Sequence, residues 1–405
     1  MATDHLALFP PRPGPHGAPP PAYAELRAEG CPVATVRLAN GVRARMVVTH
    51  EDVRAVLTDP RFSLNLRRPG APAEFGGDDP DSLMNTDPPE HTRLRSAVAH
   101  PFRPRAVERW RQVAEAKAHQ LLDQVVAEGP TADLATAYTR PLSMYLICAI
   151  LGVPEPDPRR VREWSGALLS SAFPTAGDTS VAADRQASMT AFGTYVLELI
   201  ADRRVQAGEG LLDDLLEGGR FTDVEVVRRV CGLMVAGYES TTNTLGRGVL
   251  NLLRHPAALA ELRADPALIP GTVEEILRFN TPSTGAMVRL ATDDVKLPSG
   301  VVIGSGEAVV APISAANHDD AAFPDPGRFD IHRPAGLGGR AHLAFGAGPH
   351  FCLGARLARI ELQVGLAALL ARLPGLRLAC EPHEVRWPWD SCSGMHGPEV
   401  LPVAW

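Results

Sequence analysis

The stretch FGAGPHFCLG, residues 345 to 354, holds one cysteine, Cys352, in a glycine-rich loop that leads into a helical pattern. Three chemistries suit these residue types. A dinucleotide fingerprint needs Gly-x-Gly-x-x-Gly, but after Gly346 and Gly348 the third glycine is replaced by Phe351. A thiol nucleophile needs a positioned histidine base, and His350 is only two residues away, where its side chain more naturally points elsewhere. A single thiolate ligand to a flat cofactor draws on the glycines and the helix together. Glycines let the backbone approach a planar ring, and the helix N-terminus stabilises negative charge on sulfur.

Other pairs could carry charge chemistry. In DPPEHTRLR, His91 and Arg95 stand at i, i+4 on one helix face and could both reach anionic oxygens, although alone the stretch reads as a solvated polar face. In EEILR, Glu275 and Arg278 stand three apart, alone a surface ion pair worth roughly a few tenths of a kcal/mol. In AGYEST, residues 236 to 241, Gly237 weakens a helix by about 1 kcal/mol relative to alanine. The Ser240 hydroxyl can bond back to the Ala236 carbonyl, so the two together could open a local groove.

The pattern Phe345-Gly346-x-Gly348-x-His350-x-Cys352-x-Gly354 resembles, with every fixed position filled, the haem-binding loop of the cytochrome P450 family. Other marks of that family follow in its order from residue 87 to the C-terminus. The resemblance implies a mainly α fold with a small β-rich part enclosing one haem b, with Cys352 as the axial thiolate on iron. Such a ligand pushes electron density toward iron and favours O–O cleavage, and hydrogen bonds from loop amides tune it. Phe345, Gly346, Gly354 and Ala236 are similar to residues lying against the haem, and His91, Arg95, Arg289 and His350 to the propionate partners. Glu275 and Arg278 resemble a buried structural pair joined by an arginine in a Pro-x-Arg-Phe segment, here Arg328. Glu239 and Ser240 resemble the acid and alcohol that guide protons to bound oxygen. Three positions depart from the pattern: Ser240 stands for the usual threonine, Asn280 for a common aromatic residue and His318 for a common arginine.

The elements that must hold these residues are readable in outline. VATVRLANGVRARMVV is two alternating runs joined by Asn40-Gly41, a hairpin signal, and EDVRAVL is a short helix. Residues 62 to 86 hold too much Gly, Pro and Asp for either period and read as a long loop. Asp87 as cap, Pro88 and Pro89 at the first positions, and Glu90 closing a capping box predict a helix start. Helices are expected to about residue 280, with breaks at 173–180 and 207–210. The longest is expected at about 223–254, from a Thr222/Glu225 capping box to Pro256. Extended runs return in AMVRLA and VKLPSGVVIGSGEAVVAPI, and a last helix over 353–373 shows Leu353, Leu357, Ile360 and Val364 on one face. Residues 1–22 read as a Pro-rich, tethered, partly extended N-terminus and 23–405 as a single domain.

Composition bounds the function. The chain of 405 residues is 45% hydrophobic and 21% charged, an ordinary globular balance. A net charge of -7 argues against nucleic acid, which needs a basic stripe. No apolar run approaches the roughly 18 residues of a membrane span, and the start lacks a basic, apolar leader, so a cytoplasmic monomer is expected. Of six cysteines, five (31, 148, 231, 380 and 392) read as small buried hydrophobes. The distal cavity is expected to be lined by the 62–86 loop, the 173–180 break, Val235, Ala236, Ser283, Thr284, Gly285, Met287 and the stretch from Ser391 through Met395 to His396. These are mostly small or apolar, which suggests a medium or large, mostly neutral small-molecule substrate. The resemblance further implies O2 as co-substrate and electrons from NAD(P)H through a ferredoxin reductase and a ferredoxin. The ferredoxin is expected to dock over Cys352 near Arg105, Arg109, Arg111, Arg356 and Arg359. Oxidative C–C or C–N coupling without oxygen insertion is the alternative, and a non-catalytic haem sensor the third reading.

Overall fold

The computed structural model describes residues 7–38, 40–71, 79–170, 179–281, 287–334, 341–387 and 396–405. Among them the helices in chain order are α1 (Pro21–Ala28), α2 (His50–Thr58), α3 (Glu90–Val98), α4 (Pro104–Glu128), α5 (Arg140–Leu151), α6 (Pro158–Ser170), α7 (Thr179–Val205), α8 (Leu211–Leu216), α9 (Asp223–Arg254), α10 (Pro256–Ala264), α11 (Ile269–Phe279), α12 (Ile313–Asn317) and α13 (Ala355–Arg372). The strands are β1 (Val33–Arg37), β2 (Arg43–Val47), β3 (Phe62–Ser63), β4 (Thr131–Asp133), β5 (Val288–Ala291), β6 (Val295–Lys296), β7 (Val302–Ile303), β8 (Ala308–Val310), β9 (Arg377–Leu378) and β10 (Pro402–Ala404).

The Thr222 side chain accepts from the Glu225 amide, and the Glu225 carboxylate accepts in return from the Thr222 amide. From this reciprocal cap α9 runs unbroken to the His255–Pro256 step. Its buried face, from Val226 through Val230, Met234 and Leu245 to Leu252, packs against α5, α7 and α13, and α4 packs along α13. Gly237 serves this packing. A Cβ there would lie 2.8 Å from Cδ1 of Ile147 on α5, so glycine permits close helix approach and the groove expected from it does not interrupt the helix.

The β part lies to one side, with its own apolar clusters. One sheet has the order β1-β2-β8-β5-β3, antiparallel except for β2 beside β8, with Val33 opposite Val47 and Arg289 opposite Val309. The Asn40-Gly41 hairpin forms as expected: Gly41 has φ 86° and the Val42 amide donates to Asn40 Oδ1 at 3.0 Å. A second sheet, β4-β10-β9, pairs Ala132 with Val403 and joins the chain's middle to its end. β4 has no counterpart in the sequence reading. A third pairs β6 with β7.

Several expectations need correction. Asp87 does not cap α3. Its carboxylate accepts from Ser63 Oγ at 2.5 Å and the Leu64 amide at 3.0 Å, so it ties the start of the 62–86 loop to its end. Glu90 pairs with Arg93 rather than closing a capping box. Cys148 and Cys231 are buried, but Cys31 is exposed and Cys380 half-exposed; Cys392 lies outside the described residues. The expected break at 173–180 falls largely outside them too. From residue 7 the N-terminal segment is packed: Phe9 is buried, Leu8 bridges Arg37, and the Gly17 carbonyl accepts from Arg247 on α9 at 2.5 Å.

Candidate active site

Gly346 and Gly348 take φ of 70° and 71°, which lets residues 345–352 curl: the Phe351 amide donates to the Gly348 carbonyl and the Cys352 amide to the Phe345 carbonyl at 2.8 Å. The loop rests on the end of α2, where a Cβ at Gly348 would come 2.6 Å from the Leu57 carbonyl. Cys352 is exposed, yet protein atoms crowd around it. Burial raises its thiol pKa, while the Gly354 amide, Arg95 and Arg359 pull it down. Gly354, at the start of α13, has φ −84° and no protein atom within 4 Å of where a Cβ would stand, so the protein itself does not demand glycine there. The space a Cβ would occupy is open, as a flat ring against the loop would require. Among the described residues no three His, Cys, Asp or Glu side chains converge as a metal site.

Two histidines and two arginines gather beside Cys352. The rings of His91 (α3) and His350 lie 4.1 Å apart. Burial, then repulsion from His91, Arg289 and Arg95, pushes the His350 imidazole down to about 3 against the pull of the Thr86 backbone. Arg289, buried on β5, donates to the Phe62 carbonyl at 3.1 Å, and burial pushes it down to about 10 with Asp87 opposing. Two buried nitrogens here, His91 Nε2 and Arg289 Nε, find no protein acceptor. Arg95 also braces the loop, its Nη2 donating to the Phe351 carbonyl at 2.6 Å. Two arginines and unpartnered ring and guanidinium donors beside one cysteine suit a planar cofactor that carries anionic carboxylates, and haem has that chemistry.

On α9 the Ser240 hydroxyl donates to the Ala236 carbonyl at 2.7 Å, as expected. Ala236 is exposed while Val235 and Tyr238 beside it are buried, so the helix meets open space at this turn. Burial raises the Glu239 carboxyl pKa, and Arg140, Asn243 and Arg162 oppose this, with Asn243 Nδ2 donating at 3.4 Å. The acid thus faces the arginines of α5 and α6, and the alcohol faces its own helix carbonyl. Of the other expected lining residues, Met287 is half-buried ahead of β5 and His396 is buried, its imidazole pushed down to about 4 by burial and Arg247. Ser283, Thr284, Gly285 and Met395 lie outside the described residues.

Comparison with known proteins decides the family. Nocardicin C N-oxygenase from Nocardia uniformis subsp. tsuyamanensis is 42% identical over 394 residues, spanning 95% of each chain. The chain belongs to the cytochrome P450 family. The family model "Cytochrome P450" matches residues 194–374. The P450 monooxygenase PikC of Streptomyces venezuelae is 39% identical over 96% of this chain and 91% of its own. Among solved structures, the putative thioether synthase SgvP superposes with a TM-score of 0.89 at 39% identity, covering 99% of this chain and all of that one. This P450 is therefore a haem-dependent, dioxygen-using monooxygenase by family.

The scaffold under the haem loop differs from expectation at one residue. Glu275 and Arg278 form the buried pair, with Nε–Oε2 and Nη2–Oε1 both 2.7 Å. Their third charge is Arg333, whose Nε lies 3.2 Å from Glu275 Oε2, and not Arg328. Arg328 points into solvent, its side chain 67% exposed and 3.9 Å from Asp330, and only its carbonyl joins the cluster, accepting from Arg278 and Arg333. It follows a turn at Asp325, φ 48°, whose carbonyl accepts the Arg328 amide at 3.1 Å. The two other departures also find partners. Asn280 accepts from Asn251 Nδ2 at 2.5 Å. His318 packs on Phe279, and Arg27 of α1 supplies a cation by donating to the His318 carbonyl at 2.7 Å. Sequence reasoning also missed Glu274, which binds Arg359 and His342; the doubled Glu274-Glu275 was the available signal.

Proposed function

We propose that this P450 inserts one oxygen atom into a medium or large, mostly neutral organic molecule of specialised metabolism, with His91, Arg95, Arg289 and His350 holding the haem carboxylates and Cys352 its iron. The observation that carries the reading is the Ser240–Ala236 hydrogen bond beside Glu239, at the exposed turn of α9. Haem, when bound, supplies iron-centred activation of dioxygen. The protein's part is proton handling and enclosure. Ser240 holds a proton at Oγ, parked on the Ala236 carbonyl, and swings to deliver it. Glu239, its carboxyl pKa raised by burial and restrained by Arg140 and Arg162, returns a proton by way of its Asn243 side. Val235, Ala236 and Met287 offer apolar contact to the substrate, and His396 is neutral at physiological pH.

Electrons come from NAD(P)H through a ferredoxin reductase and a ferredoxin docking over Cys352. Arg105, Arg109 and Arg356 are exposed and hold no ion pair among the described residues, which supports a basic dock. Arg111 and Arg359 contribute less charge, being paired with Glu108 and Glu274. The protein works as a cytoplasmic monomer; no helix among the described residues is long and apolar enough to cross a membrane. Oxidative coupling is the second reading, favoured by the similarity to a putative thioether synthase and by serine at 240.

The test is a spectral screen for ligands that shift the haem band, followed by mass analysis of products made with a surrogate ferredoxin system. Gain of one oxygen atom supports insertion. Loss of two hydrogens selects coupling. Retention of the long-wavelength band of the reduced carbon monoxide complex in Cys352→Ala overturns the ligand assignment.

A further inference from the structure

Two adjacent glutamates of α11 take different partners, and the first of them has electrical consequences for the haem loop. Glu275 turns into the scaffold, but its neighbour Glu274 turns toward the loop. Arg359 of α13 meets it with both fork nitrogens, Nε at 2.7 Å and Nη2 at 2.9 Å. His342 Nε2 donates to the same carboxylate at 3.1 Å. The Ala344 amide donates to His342 Nδ1 at 3.2 Å, which leaves Nε2 to carry the hydrogen given to Glu274. The Arg359 guanidinium lies over the Phe345 ring, 4.5 Å from its centroid. Phe345 in turn accepts the Cys352 amide at its carbonyl.

We infer that Glu274 and Arg359 are positioning residues for the thiolate: a charge-compensated clamp that holds the Phe345 end of the loop and screens the cation's field at the Cys352 sulfur. The geometry permits both parts. A bidentate pair fixes the guanidinium plane, so the ring beneath it is held at one height. Arg359 also stands one residue from the thiolate's own hydrogen-bond frame, over the ring of the residue whose carbonyl takes the Cys352 amide, and its partner is a carboxylate. An unscreened cation stabilises the more negative, reduced centre and raises its potential. An unscreened carboxylate lowers it. The inference rests on Cys352 being the iron's thiolate.

The experiment is a dye-coupled potentiometric titration of the haem-loaded protein. Glu274→Gln keeps the shape and leaves Arg359 unscreened, so the midpoint potential rises. Arg359→Leu leaves Glu274 unscreened, so it falls. Arg359→Lys keeps the charge without the fork and the stack; its potential stays near wild type, and its carbon monoxide complex loses the long-wavelength band at a lower temperature. A residue pair with only a packing role moves both neutralising variants the same way or neither. Either result, in protein that keeps the band, overturns the inference; if Arg359→Leu does not fold, an unchanged potential in Glu274→Gln does so alone. Absence of the band from wild type instead overturns the Cys352 assignment.

Discussion

Replacing Glu361 by glutamine should make the protein more stable at neutral pH. Glu361 lies on α13, 2% exposed, and accepts a very short hydrogen bond from Ser143 of α5, itself fully buried. Burial raises the carboxyl from 4.5 to about 8 against the pull of Ser143, so the folded state holds a neutral acid where the unfolded chain holds an anion. A raised acid contributes fully below the unfolded value and loses that contribution as pH climbs through the folded one. Between 4.5 and about 8 the folded state therefore loses about 1.4 kcal/mol per pH unit, or on the order of 3 kcal/mol by pH ~7. Glutamine does not ionise and can still accept from Ser143. Glu361→Gln should thus melt a few degrees above wild type at pH ~7.5, with the gap closing toward pH ~4.5. Differential scanning fluorimetry of haem-loaded protein across this range is the assay. A gap that is absent at pH ~7.5, or that does not shrink on acidification, shows that the native state already stabilises the ionised carboxylate and refutes the reasoning.

Arg333→Leu should destabilise the fold by about 3 kcal/mol, because it strips a charge from a buried cluster, whereas Arg328→Ala should cost less than about 0.5 kcal/mol; chemical denaturation separates them. Ser240→Ala should keep substrate binding but lower product per NAD(P)H and raise peroxide, a loss of up to about 10²-fold in coupled turnover, and Ser240→Thr should retain or improve coupling. Equal product ratios in all three proteins remove Ser240 from proton delivery. Arg356→Glu should slow electron transfer from the ferredoxin and flatten its dependence on salt, as read by stopped-flow reduction. Glu274 predicts an acid limit. Burial raises it, but hydrogen bonds from His342 and Arg359 hold it down to about 2, so its stabilising share is lost as pH falls from 4.5 toward 2. Glu274→Gln should flatten the acid melting curve there.

The legible parts of the sequence were those whose signals are local. Thr222, Glu225 and Pro256 mark both ends of α9 within a few residues, and Asn40-Gly41 marks its hairpin. The Cys352 loop was readable for the same reason: its glycines, histidine and cysteine lie within ten consecutive residues. What failed was decided at a distance. Asp87 had the spacing of a cap, but Ser63 and Leu64 claim its oxygens. Choosing Arg333 over Arg328 required knowing which side chain the folded segment turns inward, and spacing carries no such direction. β4 is three residues long and exists only because Pro402–Ala404 returns beside it. The cation that Arg27 brings to the His318 carbonyl comes from 291 positions away.

The Asp87 tie makes the segment between Leu64 and Asp87 a modular unit. Its two ends are held together by hydrogen bonds that involve none of the residues between them. Closing such a loop costs free energy that grows only with the logarithm of its length. Insertions, deletions and wholesale exchange inside it therefore leave α3, His91 and Arg95 where they are. A lineage can rewrite this stretch while the cofactor seat stays fixed, and a library that spares Arg68, which pairs with Asp87, and Asp79 and Asp81, which face Arg228 on α9, samples new sequences without disturbing the anchors on either side.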